Sequence, residues 1–210
     1  MSDAGSTDAT LSIVESFAHS LPIRTIVHTG THRQTIAEGR NAGAQAAQGA
    51  IFVFLNSDTT LQDPDRFFQI ITQWAESDPS TVALVPRVFV DPQVARWYDV
   101  AIHQVLNAYI AFLNAVGIGA CRGEAQIVRS EAFWQVGGYN PALAAGEDFD
   151  LYRRLARVGK IRFEPRLVVY EDPRRYRRYG YAATLWLWTV NTLSIWLRKR
   201  AVSQEWKPIR

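Results

Sequence analysis

Strand-like apolar runs alternating with helical patterns predict an α/β domain, with a mixed, mostly parallel sheet flanked by helices. Ile51-Phe-Val-Phe-Leu55 is apolar on both faces, as a strand covered by helices on each side requires. The Ala- and Gly-rich stretch Thr35–Gln48 runs directly into it, with Gly49 as the break. A length of 210 residues, 48% hydrophobic and 20% charged, suits one sizeable core and excludes a disordered or fibrous chain.

Each element has its own local reason. Asp3-Ala-Gly-Ser-Thr-Asp-Ala-Thr10 reads as a loop feeding a helix, with Thr7 or Asp8 able to cap it. Leu11, Val14, Phe17 and Ala18 then recur at helical spacing up to His19. Ile23–His28 is β-rich and reads as a strand. Thr35–Gln48 reads as a small-residue helix packed closely on a sheet, and Ile51–Leu55 as the strand after it. Asp63-Pro64 opens an amphipathic helix carrying Phe67, Phe68, Ile71 and Trp74. Val82–Val85 and Val88–Val90 are further strands.

Over Val94–Val116, the residues Trp97, Ala101, Val105, Ala108, Phe112 and Val116 fall three or four apart, predicting a long helix. Ala125–Val128 reads as a strand, and Ser130 opens a short helix to Val136 before Gly137-Gly138. Gly146-Glu-Asp-Phe-Asp150 opens a helix with Leu151, Leu155 and Val158 on one face, closed by Gly159. Ile161–Phe163 and Leu167–Tyr170 complete the strands. Ala182–Leu197 carries three tryptophans and five leucines or isoleucines, followed by Arg198-Lys-Arg200. Its sixteen residues fall short of the ~20 that span a bilayer, so it reads as an interfacial or covering amphipathic helix. The division expected is a domain over 1–181 and a C-terminal helix and tail over 182–210.

Composition narrows the function classes. A single cysteine, Cys121, excludes an internal disulfide framework and an all-cysteine zinc site, and four scattered histidines argue against a structural metal cage. The first dozen residues lack the basic start and apolar run of a secretory signal, so the expected setting is cytoplasmic. The net charge of +3 hides an asymmetry: residues 1–150 carry −8 and residues 151–210 carry +11. That split suggests an anionic partner for the C-terminal part, either phosphate groups or an anionic membrane surface at the inner face of the membrane. Nucleic acid is not expected, because no binding motif accompanies the basic cluster Asp172-Pro-Arg-Arg-Tyr-Arg-Arg-Tyr-Gly180.

Three stretches carry the chemistry. They are Asp3-Ala-Gly-Ser-Thr-Asp-Ala-Thr10; Gly39-Arg-Asn-Ala-Gly43 through Gly49-Ala-Ile-Phe-Val-Phe-Leu-Asn-Ser-Asp58; and Gly137-Gly-Tyr-Asn-Pro141 through Gly146-Glu-Asp-Phe-Asp-Leu-Tyr-Arg-Arg-Leu155. In this order they resemble the family 2 glycosyltransferases of GT-A fold, a Rossmann-like architecture, over Asp3 to about Tyr181. The resemblance implies inverting transfer of a sugar from a nucleoside-diphosphate sugar to an acceptor hydroxyl, on a glycan or a lipid-linked acceptor. It implies Mg²⁺ or Mn²⁺ held by Asp58, because carboxylate oxygen suits a hard cation and the departing diphosphate needs its charge neutralised.

The same resemblance implies that Asp148 is the general base and that Glu147 binds or orients the acceptor. Asp3 would contact the nucleotide base, and Arg33 or Arg40 would reach the base or diphosphate. Asn56, where the family pattern has Asp, would hydrogen-bond the ribose without adding charge. Arg174 and Arg175 offer forked donors suited to phosphate. Plainer readings stand beside these. Asn56-Ser-Asp58 is also an Asx-type turn, Asp3 a turn residue, and Arg33 and Arg40 exposed helix arginines; Glu147, Asp148 and Asp150 complement a helix dipole.

The chain departs from the family pattern at its start. It begins where the second strand of the family normally ends, so a strand–helix–strand unit has no counterpart, and an exposed sheet edge is expected. The alternative function is therefore a catalytically impaired glycosyltransferase-like remnant acting as a membrane-surface or partner-binding module. A nucleotidyltransferase is disfavoured by the lack of a Gly-rich, basic loop near the start.

Overall fold

The computed structural model describes residues 1–198 and 200–203. Lys199 of the basic stretch after the last helix, and residues 204–210 of the expected tail, lie outside them. In chain order the elements are β1 (Ser2–Asp3), α1 (Thr10–Phe17), β2 (Ile26–Val27), α2 (Ile36–Ala46), β3 (Ile51–Leu55), β4 (Thr60–Leu61), α3 (Pro64–Ser77) and β5 (Thr81–Val90). They continue with α4 (Trp97–Ala115), β6 (Ala125–Arg129), α5 (Ser130–Gln135), α6 (Glu147–Leu155), β7 (Lys160–Glu171), α7 (Arg174–Tyr179) and α8 (Tyr181–Arg198).

The main sheet has five strands in the order β3-β6-β5-β7-β4, and β1 and β2 form a separate parallel pair. The α/β class and the mixed sheet are as the sequence predicts, with fewer parallel ladders than expected. β6 runs antiparallel to both neighbours, β4 antiparallel to β7, and only the β5–β7 ladder is parallel, though it is the longest. The two strands expected within Val82–Val90 are one. Its ladder with β7 shifts register between Pro86 and Arg87, a bulge that absorbs a proline inside a central strand. The two strands expected within Ile161–Tyr170 merge in the same way. Among the described residues β3 has one ladder partner, so it is an exposed edge of the main sheet, as expected.

Hydrophobic packing sits on both faces of the sheet. Phe52, Val85, Val128, Phe133, Leu151 and Leu155 pack on one side under α2, α5 and α6. Phe67, Ile71, Trp74, Leu84, Ile127 and Val169 pack on the other under α3. Adjacent residues Leu84 and Val85, like Ile127 and Val128, go to opposite faces, as strand geometry requires. α3 begins with Asp63 accepting from the Arg66 N–H and Pro64 in its first turn. α2 begins with a Thr35–Glu38 capping box, and its glycines let it lie close to β1: a Cβ at Gly39 would sit 3.5 Å from Ser2 Oγ.

α4 exposes Trp97, Val105, Tyr109 and Phe112, with Val116 just past its end, while Asp99, His103, Asn107, Leu113 and Asn114 are buried.

Candidate active site

The loop leaving β3 is pinned to the turn before β6. Asn56 N–H and Thr59 Oγ1 both donate to the Glu124 carbonyl, each at 3.1 Å. Asp58 stands half-exposed on the wall of an open cavity of about 990 Å³, lined also by Ser57, Asp91, Arg96, Asp172 and Arg174. This is the edge of the sheet where strand ends leave a crevice, a usual ligand position in open α/β sheets.

Arg40 joins the second and third motifs. From α2 its guanidinium donates to Glu147 Oε1 at 2.9 Å, Asn56 Oδ1 at 2.9 Å and the Gly123 carbonyl at 2.7 Å, and it lies 5.4 Å from the centre of the Tyr139 ring. Arg40 and Glu147 side chains are 11% and 7% exposed, so this is a buried ion pair rather than a surface one. The guanidinium is thereby occupied by protein groups. One residue on, Asn41 exchanges two hydrogen bonds with the Tyr139 backbone, holding the Gly137-Gly-Tyr turn against α2.

Asp148 heads α6, whose N-terminal residue Gly146 adopts φ +76°. A Cβ there would meet Ile195 of α8 at 2.6 Å, so the C-terminal helix packs over the start of α6. Asp148 Oδ1 accepts from the Phe149 N–H at 2.8 Å. Its Oδ2 lies 3.4 Å from where a Cβ of Gly123 would stand, which puts the carboxylate beside the same turn that holds Asn56. Burial and the adjacent Glu147 carboxylate push the Asp148 pKa up to about 7, against the opposing pull of Arg40.

Arg174 of α7 donates to Asp58 Oδ2 at 2.5 Å, while its other arm is 3.8 Å from Asp172 Oδ2. Two carboxylates therefore converge on one cation. Arg175 is partly buried next to it; burial lowers its pKa and Asp58 acts in the opposite sense. Among the described residues no group of three or more His, Cys, Asp or Glu is arranged to hold a metal ion. A divalent cation nevertheless fits the chemistry of Asp58 and Asp172. Mg²⁺ commonly takes one or two carboxylates and completes its shell with water and substrate phosphate, and Arg174 already stands there as a cationic stand-in.

The remaining predicted residues are Asp3 and Arg33. Asp3 is buried, and its carboxylate accepts from Gly5 N–H, Ser6 N–H and Ser6 Oγ. The Ser6 hydroxyl is the main cause that lowers its pKa. Arg33 is exposed in the loop before α2.

A buried network behind the cavity was not legible in the sequence. Arg122 bonds Glu171, Glu124 (3.4 Å), Tyr176 Oη (3.1 Å) and His103 Nδ1 (3.1 Å). Burial lowers the His103 pKa to about 4, with Arg122 adding to the effect, so the ring is neutral at pH 7. Burial raises Glu171 to about 8. Burial also opposes ionisation of Glu124, but Arg122 and a hydrogen bond from Glu171 outweigh it, so Glu124 carries the charge. Asp172 could have been found beforehand from its place two residues before Arg174.

The chain belongs to a family whose fold and motifs it carries. Residues 1–137 match the model of glycosyl transferase family 2. It is 30% identical over 161 residues to a pre-mycofactocin glycosyltransferase of Mycobacterium tuberculosis, covering 70% of this chain and 32% of that protein. It is 36% identical over 78 residues to a PGL/p-HBAD biosynthesis glycosyltransferase of Mycobacterium bovis, covering 37% of this chain and 30% of that protein. The chain thus spans about a third of the length of these relatives. Among solved structures it is similar to the mannosyltransferase PcManGT from Pyrobaculum calidifontis in complex with GDP-Man and Mn²⁺. The TM-score is 0.64 at 20% identity, over 91% of this chain and 51% of that one. It is also similar to GalNAc-T7 with UDP, GalNAc and Mn²⁺, with a TM-score of 0.57 at 16% identity, over 81% of this chain and 37% of that one. These likenesses establish the GT-A fold.

Proposed function

We propose that this chain transfers a sugar from a nucleoside-diphosphate sugar to an acceptor hydroxyl, with inversion at the anomeric carbon. The observation that carries the reading is the Arg40 bridge. One guanidinium holds both Asn56 of the donor loop and Glu147, the neighbour of an Asp148 carboxyl raised to about 7. A base poised near the working pH is what proton abstraction from a hydroxyl calls for. Asp148 takes the acceptor proton as the acceptor oxygen bonds the anomeric carbon and the bond to the diphosphate oxygen breaks. Glu147, held by Arg40, orients the acceptor.

Asn56 binds the ribose, Asp3 contacts the base, and Arg33 reaches the base or diphosphate. Arg174 and Arg175 take the diphosphate charge. Asp58, with Asp172, would hold Mg²⁺ or Mn²⁺, which when bound supplies positive charge for the leaving group. Because Arg174 now pairs with Asp58, cation and donor would redirect it from carboxylate to phosphate.

The test is a thermal-shift titration with Mn²⁺ and a panel of nucleoside diphosphates. Saturable stabilisation that requires the cation, and is lost in Asp58→Ala, is expected. No nucleotide response with either Mn²⁺ or Mg²⁺ would overturn the reading. A second reading, a remnant that binds donor without transfer, is favoured by the uncharged Asn56 and by the Arg174–Asp58 ion pair. Nucleotide binding without turnover under every cation would select it.

A further inference from the structure

Surface helices normally turn their apolar stripe inward. α4 and α8 leave much of theirs outside. α4 buries Asp99, His103, Asn107 and Asn114 alongside Leu113, and exposes Trp97 (82%), Val105 (68%), Tyr109 and Phe112 (60%). The buried side chains are satisfied there. Asn107 exchanges two 3.0 Å hydrogen bonds with the Val88 backbone, and Asn114 pairs with both N–H and C=O of Ala120. α8 buries Thr184 and Asn191 alongside Ile195, and exposes Trp186 (70%), Leu193, Trp196 and Leu197 (70%). Asn191 accepts from the Val202 and Ser203 N–H groups. Hydrogen bonds thus hold polar side chains inward in both helices and leave these apolar side chains outside.

Neither outer face carries charge. The ionisable side chains of α4, Asp99 and His103, are buried, and α8 has none between Tyr181 and Arg198. Charge appears at the ends, and there it is positive. Arg96 precedes α4, Arg198 closes α8, and Arg177 and Arg178 stand where the two helices meet. At that junction Tyr181 Oη donates to Asp99 at 2.7 Å and Arg177 pairs with Asp99. A folded protein partner would need polar anchors, and α4 offers it few beyond Gln104 and the Tyr109 hydroxyl. Long uncharged apolar faces with tryptophans and an arginine rim match an anionic bilayer surface. Among the described residues no helix is long and apolar enough to cross a membrane, so the match is to lying in the surface.

We infer that the outer faces of α4 and α8 form an in-plane docking surface for an anionic lipid bilayer. Val94 and Arg96, at the start of α4, also line the cavity that holds Asp58. Docking therefore brings the cavity to the membrane, where a lipid-linked acceptor enters. The acceptor clause rests on the sugar-transfer reading; the docking surface does not.

The test is flotation of the full 210-residue chain with phosphatidylcholine vesicles, with and without phosphatidylglycerol. Wild type is expected to float with the anionic vesicles, less with neutral ones, and less as salt rises. Val105→Glu with Phe112→Glu should cut the bound fraction about tenfold or more, as should Trp186→Glu with Leu197→Glu. All four side chains already face solvent, so unchanged melting curves will show that the variants fold. No flotation on anionic vesicles, or unchanged flotation of both variants, overturns the inference. A wild-type dimer that the glutamates dissolve, without vesicle binding, overturns it in favour of a second copy. Nucleoside-diphosphate binding should be the same in wild type and variants. If wild type floats as expected but binds no nucleotide, the transferase reading falls and the docking surface stands.

Discussion

Replacing Asp148 with Asn should raise stability at alkaline pH while removing transfer. Burial, and then the neighbouring Glu147, raise the Asp148 pKa from an ordinary 3.8 to about 7. The folded state therefore binds its proton more tightly than the unfolded chain does. Stability from this group is fully present below about pH 4 and is lost as pH rises through 7. A rise from 3.8 to about 7 corresponds to about 4 kcal/mol at most. Asp148 keeps partial solvent contact, so about 1–2 kcal/mol is expected. Asn preserves the acceptor for the Phe149 N–H and cannot ionise. Urea melts of wild type and Asp148→Asn at pH 5 and pH 8 isolate the effect of this carboxylate and its coupling to Glu147, since titrations elsewhere cancel in the difference. The variant should gain about 1–2 kcal/mol between the two pH values and lose transfer by about 10²–10⁴-fold. A pH-independent difference, or a variant less stable at pH 8, would refute the environment assigned to Asp148. Retained turnover would refute its role.

Arg40→Met should cost about 3–5 kcal/mol, because it strands the buried Glu147 carboxylate. Adding Glu147→Gln should recover most of that in urea denaturation; a single variant within about 1 kcal/mol of wild type would mean that the pair is solvated. Gly119 has φ +79°, and an added Cβ would lie 2.3 Å from the Tyr152 carbonyl and 2.8 Å from Ala156 Cβ. Gly119→Ala should therefore lower stability by about 2–4 kcal/mol, read as a reduced urea midpoint with unchanged m-value; an unchanged midpoint would contradict the packing of α6 on this turn.

Much of the site was readable because its residues lie in local patterns. Asn56 and Asp58 follow a strand apolar on both faces, and Asp148 opens a helix after a glycine. The partners of those residues were not readable. Arg40 looks like any helix arginine, and it becomes the bridge only because Asn56, Gly123 and Glu147, up to 107 residues away in sequence, converge on it. Strands β1, β2 and β4 have two residues each, too few to show an alternation. The direction of β6 was hidden as well, since a buried strand reads the same whether its neighbours run parallel or antiparallel.

Local propensity and periodicity in the amino-acid order determined a long helix within Val94–Val116, observed over Trp97–Ala115, that α2 needs small residues, and that acids head α6. Tertiary structure alone decided which face of α4 looks inward. Periodicity defines two faces on a helix but not which medium each meets. Here Val88 and Ala120 offer backbone groups, and Arg177 and Tyr181 offer side chains, that satisfy Asn107, Asn114 and Asp99 more completely than water-excluding packing of the apolar stripe could.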